Sequence, residues 1–108
     1  MKLFRLVLVL FAFGFSSGSY ALATLGDISC GAWVADRTAH KSSEHTDEAW
    51  LTGVVTGMVL NSGADVLKDA DDDSFYLWMD KYCTRDPSGT VSTGAKVLFK
   101  ELQKKMNR

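Results

Sequence analysis

The sequence predicts an all-α protein, a small bundle of about four helices held together by one disulfide between Cys30 and Cys83. Three observations lead to this prediction. Apolar residues recur at spacings of three and four in successive segments, no segment alternates apolar and polar residues as a half-buried strand does, and the only two cysteines follow an export signal. The chain has 108 residues, 46% apolar and 23% charged, which is enough for one domain and too apolar for a disordered segment.

Residues 1–23 have the order of a secretory signal peptide. Lys2 and Arg5 precede ten residues, 6–15, that are all apolar or glycine, and Ala21-Leu22-Ala23 follows a short run of small and polar residues. A membrane span needs about 20 apolar residues, so this run is too short to remain as an anchor. We therefore expect cleavage after Ala23, a periplasmic location without stable membrane insertion, and a single mature domain over residues 24–108.

Cleavage would also change the charge of the chain. The precursor has 12 basic and 13 acidic residues, and loss of Lys2 and Arg5 moves its formal net charge from −1 to −3. This balance argues against nucleic acid as a partner, because nucleic-acid binders carry a basic stripe. Acidic residues are concentrated in 65–86 and lysines in 87–108, a distribution that suits a protein partner or a homodimer.

The two cysteines predict a structural disulfide. Cys30 and Cys83 both survive cleavage and reach a compartment in which disulfides form and persist. Neither belongs to a C-x-x-C motif, and no histidine and amide or acid are arranged around either as in a thiol enzyme. Closing a loop of this length stabilises the fold by about 4 kcal/mol in the loop-entropy view.

Two helices are predicted in the first half of the mature chain. The first begins at an N-cap at Asp27 or Ser29 and runs to about His40, followed by a polar connection over 41–45. The second begins at an N-cap at Thr46 and ends near Leu60. The face of the first helix that points inward carries Cys30, Trp33, Val34 and Arg37, and that of the second carries Trp50, Leu51, Val54, Val55, Met58 and Val59.

Gly53 and Gly57 lie four residues apart inside the second helix. Each costs about 1 kcal/mol relative to alanine in a helix interior. Two explanations remain open: another helix approaches closely at these positions, or the glycines are merely tolerated.

Two further helices are predicted in the second half. An acidic segment, 65–73, contains a short turn around Val66 and Leu67, and a third helix starts at Asp73 or Ser74 and stops before the turn sequence 86–89. The fourth runs from about Val91 to Met106. The third helix presents Phe75, Trp78, Met79, Tyr82 and Cys83 on one side, and the fourth points Val91, Ala95, Leu98, Phe99, Leu102 and Met106 inward and its lysines outward.

The acidic segment has part of the residue spacing of a calcium-binding loop. Asp69, Asp71, Asp73 and Asp80 occupy positions 1, 3, 5 and 12 of a calcium loop, but position 6 is Ser74, where such loops need glycine. We therefore interpret the aspartates as the N-cap and first turn of the third helix, and expect no metal site and no cofactor.

No arrangement of residues predicts catalysis. His40, Glu44 and His45 lack metal-ligand spacing and are interpreted as solvated side chains, and the sequence contains no nucleophile motif. We expect a binding protein rather than an enzyme. The candidate binding residues are two glycines and three tryptophans, although small cores also use tryptophan heavily: Trp33, Trp50, Trp78, Gly53 and Gly57.

The cysteine spacing and the segment from Tyr82-Cys83-Thr84-Arg85-Asp86 to the Lys104-Lys105-Met106 tail resemble the HdeA/HdeB family of periplasmic acid-stress chaperones. The resemblance implies a helical, disulfide-linked protein whose partners are unfolded polypeptides. The charge of the chain suits this role. At pH 2–3 the 13 carboxylates would be neutral, leaving a cationic chain that could loosen or split from an oligomer while the disulfide limits unravelling.

The segment Trp50-Leu51-x-Gly53-x-x-x-Gly57 differs from those chaperones and resembles periplasmic immunity proteins of the Rap/Tai type. That second resemblance implies one tight partner at neutral pH, a secreted toxin. Both imply a non-enzymatic protein that binds other proteins. Acid-stress chaperoning is our leading hypothesis, and toxin neutralisation is the alternative.

Overall fold

The computed structural model describes residues 24–107 and contains four α-helices there: α1 Cys30–Ala39, α2 Ser43–Ser62, α3 Asp72–Arg85 and α4 Val91–Met106. The extended pairing within this range is a single bridge between Ser29 and Thr90. The all-α prediction, the number of helices and the Cys30–Cys83 disulfide are thus confirmed. The predicted signal peptide lies outside the described residues, and none of the described helices is long and apolar enough to cross a membrane.

Local side-chain bonds explain where three of the helices begin. The Ser29 hydroxyl accepts a hydrogen bond from the Ala32 amide, and the Asp71 carboxylate accepts one from the Ser74 amide at 2.9 Å. Thr90 begins α4 with a reciprocal pair of bonds to Thr93. The predicted N-cap at Ser29 and the predicted span of α4 are confirmed, whereas α3 begins at Asp72, slightly before the predicted Asp73 or Ser74.

The predicted start of the second helix is wrong. Helix α2 begins at Ser43, three residues before Thr46, so that the connection to α1 shrinks to Lys41 and Ser42. Helical geometry in this extra turn places Glu44 and Glu48 on the same side, one turn apart. Both then lie against α1, as described below.

The core lies between all four helices and reaches the turn before α3. The turn around Val66 and Leu67 is present, with Val66 buried. Two residues predicted to face inward are more exposed than expected, namely Val34 at 36% and Met106 at 53%, the latter at the end of α4. The apolar residues that form the buried cluster are Cys30, Trp33, Leu51, Val55, Phe75, Met79, Cys83, Val91, Ala95 and Leu98.

The disulfide lies beside a junction of backbone hydrogen bonds. The Cα atoms of Cys30 and Cys83 are 4.9 Å apart. The Cys30 amide donates to the Gly89 carbonyl at 3.0 Å, and the Val91 amide donates to the Ile28 carbonyl at 2.8 Å. The start of α1, the end of α3 and the start of α4 are therefore held together at one end of the molecule.

A carboxylate distant in sequence caps α4 at this junction. Asp27 accepts hydrogen bonds from the amide and the hydroxyl of Ser92 and from the Ile28 amide. Burial raises the pKa of Asp27, but these bonds, with one from Thr24, outweigh burial and leave the pKa below its usual value. The cap therefore stabilises the fold above the ordinary pKa of aspartate and is lost as the pH falls through the lowered one.

The close helix contact at a glycine occurs at Gly94, not at Gly53 or Gly57. A Cβ atom added to Gly94 would lie 2.7 Å from the Met79 sulfur and 2.8 Å from Cδ1 of Tyr82. Gly53 and Gly57 are exposed, and apart from adjoining residues and backbone of α2 itself, no atom of the described chain lies within 4 Å of a Cβ built on either. None of the other described helices therefore approaches them closely, which leaves tolerance as the explanation within the described fold.

We predict opposite effects for alanine at these glycines. Gly94→Ala should lower the free energy of unfolding by about 1–2 kcal/mol, because the clash with buried Met79 exceeds the gain in helix propensity. Gly57→Ala is the matched control and should raise the free energy of unfolding by up to about 1 kcal/mol. Urea denaturation of both variants checks this, and equal effects of the two substitutions would contradict the contact assigned to Gly94.

Candidate functional site

An arginine on α1 joins three helices through carboxylates. Nη1 of Arg37 lies 2.9 Å from Glu48 and 3.4 Å from Glu44, both on α2. Nη2 donates to Asp80 on α3 at 2.8 Å, and Nε donates to the other oxygen of the same carboxylate. The Arg37 side chain is only 19% exposed. We call these four residues the Arg37 cluster: Arg37, Glu44, Glu48 and Asp80.

Two aromatic rings complete the surroundings of the arginine. The Trp33 indole N–H donates to Asp80 at 2.7 Å, and the guanidinium carbon of Arg37 lies 5.5 Å from the Trp33 ring and 5.8 Å from the Tyr76 ring. Both distances are within the range of cation–π attraction. The hydrogen bond to Asp80, aided by the charges of Asp80, Glu48 and Glu44, raises the pKa of Arg37, although burial opposes this. Arg37 is thus a permanent cation whose three ion-pair partners are carboxylates.

A pair of acids, Asp36 on α1 and Asp47 on α2, also lies between these two helices. Asp47 is 7% exposed, and its Oδ2 atom is buried without a hydrogen-bond partner in the described chain. Burial, followed by the neighbouring carboxyl of Asp36 and the negative charge of Glu48, raises the pKa of Asp47 to about 6. A proton held by Asp47 can bridge the two carboxyl groups and satisfy the buried oxygen.

The three tryptophans named from the sequence lie in different surroundings. Trp33 is fully buried beside the Arg37 cluster. Trp50 is half-buried and donates to the Leu25 carbonyl at 3.1 Å, whereas Trp78 is half-buried, stacks on Tyr82 and donates to Glu101 at 2.8 Å. No two of them form an aromatic pair in the described chain. Trp33 therefore becomes accessible to a partner only if the helices separate.

The two glycines named from the sequence lie on the exposed face of α2. Gly53 and Gly57 share this face with Leu60, which is 80% exposed. Helix backbone is therefore exposed over about one turn of α2 there. Trp33 lies on α1 and Trp78 on α3, so neither forms a single patch with these glycines. The five candidate binding residues do not converge on one site in this fold.

The aspartates considered for calcium are also separated. Asp80 belongs to the Arg37 cluster, and Asp71 caps α3 through the amide and the hydroxyl of Ser74, bonds that lower its pKa. Asp69 is exposed in a left-handed conformation with φ of 64°. Within residues 24–107, no three histidine, cysteine, aspartate or glutamate side chains are grouped as a metal site.

Sequence reasoning missed the Arg37 cluster. His40 and His45 are solvated as predicted, with side chains 83% and 87% exposed, but Glu44 is only 16% exposed. The available signal was Arg37 itself, a cation in line with Cys30 and Trp33 on the inward face of α1. Such a cation needs buried anionic partners, and the first acid after it, Glu44, was assigned to the polar connection rather than to a helix.

The fold and this cluster define a class of protein: a small helical bundle joined by one disulfide and by one largely buried network of ion pairs. Comparison with protein-family models, with curated proteins and with solved structures finds no match for the chain. Its function is therefore argued from its own residues.

Removal of the arginine should destabilise the protein in a pH-dependent way. Arg37→Met should lower the free energy of unfolding by about 3 kcal/mol at pH 7, because three partly buried carboxylates lose their cation. Near pH 3, where aspartate and glutamate side chains are largely protonated, the loss should nearly vanish. Arg85→Met is the matched control, since the described chain places no carboxylate within 4.0 Å of this exposed arginine, and its effect should be small at both pH values.

Removal of the buried acid should have the opposite effect. A carboxyl whose pKa is raised in the folded state opposes folding once it ionises, so Asp47 costs stability progressively between about pH 4 and pH 6 and fully above. Asp47→Asn should raise the free energy of unfolding at pH 8 by about 2 kcal/mol, with much less gain at pH 4. Exposed Asp65→Asn is the control, and a gain for Asp47→Asn that does not change between the two pH values would contradict the assignment.

Proposed function

We propose that this chain is an exported, non-enzymatic periplasmic protein that binds other polypeptides, and that strong acid opens its binding surface, as in the HdeA/HdeB-like chaperones that it resembles. The observation that carries the proposal is the Arg37 cluster. A cluster made from one permanent cation and three carboxylates loses every ion pair when the carboxylates are protonated.

The positions of the covalent link and of the cluster indicate which part would open. The disulfide ties α1 to α3, so these two helices stay together whatever the pH. No disulfide ties α2 to another described helix, and its Glu44 and Glu48 supply two of the three anions around Arg37. Loss of these pairs therefore loosens α2 first.

Movement of α2 would uncover part of the buried core of the described residues. Leu51 and Val55 are fully buried on its inner face, and Trp33 and Met79 are fully buried on the helices that it covers. At about 25 cal/mol per Å², apolar surface of this kind binds exposed apolar segments of other chains. The ten Lys and Arg residues of the mature chain add repulsion between the helices at low pH.

The Asp36–Asp47 pair makes the proposed opening of α2 resistant to mild acid. Protonation of Asp47 near pH 6 relieves repulsion between α1 and α2 and so holds these helices together. Opening then requires the lower pH at which the acids of the Arg37 cluster are neutralised. The opposing effects of the Asp36–Asp47 pair and of the Arg37 cluster favour a response to strong acid near pH 2–3 over a response to mild acidification.

The experiment compares client protection with opening. At pH 2–3 the processed protein should suppress aggregation of an acid-denatured client and bind an apolar dye, and at pH 7 it should do neither. In Asp80→Asn, which removes one anion of the cluster, dye binding should begin at higher pH, whereas exposed Asp65→Asn should leave the midpoint unchanged. Absence of both client protection and dye binding at pH 2–3 would overturn the proposal.

One observation favours the immunity protein alternative. Gly53 and Gly57 leave helix backbone exposed on α2 at neutral pH, where a folded partner could approach closely. A toxin gene beside the gene for this chain would support that role. A toxin complex at pH 7 that Gly57→Arg abolishes, in a protein without client protection at pH 3, would select the alternative over the chaperone.

A further inference from the structure

The exposed face of α3 carries opposite charges at equal distances on the two sides of an exposed leucine. Asp73, Leu77 and Lys81 follow one another at intervals of four residues and therefore lie in one row along the helix. All three are exposed, and Leu77 is 58% exposed. Arg85 continues the row by one more turn. We call this row the α3 stripe: Asp73, Leu77, Lys81 and Arg85.

The charged residues of the α3 stripe form no ion pairs within the described fold. Neither Asp73, Lys81 nor Arg85 has an oppositely charged side chain within 4.0 Å among residues 24–107. The carboxylates closest in sequence to Lys81 and Arg85 are engaged elsewhere, Asp80 with Arg37 and Asp86 with Ser88. The stripe thus presents one anion, one large apolar side chain and two cations to solvent.

We propose that the α3 stripe is an interface between two copies of this chain, with the two α3 helices packed antiparallel about a two-fold axis at Leu77. Lys81 is as far from Leu77 along the helix as Asp73 is, in the opposite direction. In an antiparallel pair, Leu77 of each copy meets Leu77 of the other, and each Asp73 meets a Lys81. Two ion pairs and one apolar contact then form from a single surface.

The symmetry of the stripe favours a second copy over an unrelated partner. A two-fold interface requires a surface that is complementary to itself. Asp73 and Lys81 satisfy that requirement, because they carry opposite charges and lie equally far from Leu77 on its two sides. A parallel arrangement would place Asp73 beside Asp73 and Lys81 beside Lys81. Helices packed 8–10 Å apart bring a lysine and an aspartate on facing rows within reach of each other.

The interface should be weak and sensitive to salt. Two to three turns of one helix from each copy bury less than about 1,200 Å² in total, which is the range of transient complexes. Exposed ion pairs contribute up to about 1 kcal/mol each and are screened by salt. We expect a reversible dimer that is visible only at high protein concentration. The inference does not depend on the proposed function, because it concerns the protein at neutral pH without a client.

Sedimentation velocity on the processed protein, recovered after export, tests the interface at pH 7. The fraction of dimer should increase with concentration up to about 1 mM and should decrease at 0.5 M salt compared with 0.05 M salt. A protein that remains monomeric over the whole range overturns the proposal, and this result would leave acid activation untouched.

Charge exchange identifies the surface. Asp73→Lys and Lys81→Asp should each weaken dimerisation about tenfold or more, since each places like charges opposite one another. The double variant D73K/K81D should recover dimerisation. An equimolar mixture of the two single variants should also recover it, because one copy then carries only cations at the paired positions and the other only anions.

Matched controls separate the stripe from general effects of charge and apolarity. Exposed Asp65→Lys and Lys96→Asp make the same charge changes elsewhere and should leave dimerisation unchanged. Leu77→Ala should weaken it, whereas Leu60→Ala, at another exposed leucine, should not. Circular dichroism checks that each variant is folded. A dimer that persists in both single charge variants, or that the double variant fails to recover, assigns dimerisation to another face and overturns the proposal.

Discussion

Cys30 at the start of α1 and Cys83 near the end of α3 are joined by a disulfide between residues 53 positions apart, and the segments next to them exchange backbone hydrogen bonds. This link stabilises the fold by about 4 kcal/mol in the loop-entropy view, a large share of the stability of a small domain. It also sets the geometry of the rest. With the end of α3 beside the start of α1, Asp80 comes to lie one helical turn from the disulfide and opposite Trp33 and Arg37.

The disulfide and the Arg37 cluster hold the helices in chemically different ways. The disulfide and the backbone bridge join α1, α3 and α4 through groups that do not titrate in water. The cluster joins α1, α2 and α3 through groups of which three titrate. Helix α2 is held by the Arg37 cluster and not by the disulfide. A change of pH therefore acts on the packing of α2 more than on the pairing of α1 with α3.

The sequence was sufficient to predict the parts of this fold that depend on local signals. Helix number, the span of α4 and the disulfide follow from apolar spacing, capping residues and the cysteine count. The start of α2 was missed because no strong capping signal marks it: Ser42 makes no side-chain cap, and the first turn is held by Glu44 through a partner on another helix. Local rules cannot supply such a contact, since it exists only after α1 and α2 have packed together.

The same reason explains which site residues could be predicted. Glycine at 53 and 57 suggested a close contact, but the contact occurs at Gly94, which looks no different in sequence because the approach of Met79 and Tyr82 is a property of the packed pair. Trp33 and Trp78 were recognised as important aromatics, yet their partners, Asp80 and Glu101, were not. Sequence spacing identifies a helix face, whereas the charge that meets this face comes from another helix.

Two opposing responses to protons follow from the positions of the acids rather than from their number. Asp47 is buried beside another acid, so its proton stabilises the packing of α1 against α2. Glu44, Glu48 and Asp80 surround a cation, so loss of their negative charge weakens the packing of α2 and α3 against α1. Because the raised pKa of Asp47 is about 6, Asp47 takes up its proton in mild acid, above the ordinary pKa of a carboxylate. The junction is therefore first tightened and then loosened as acid is added, and this order makes α2 resistant to mild acid and responsive to strong acid.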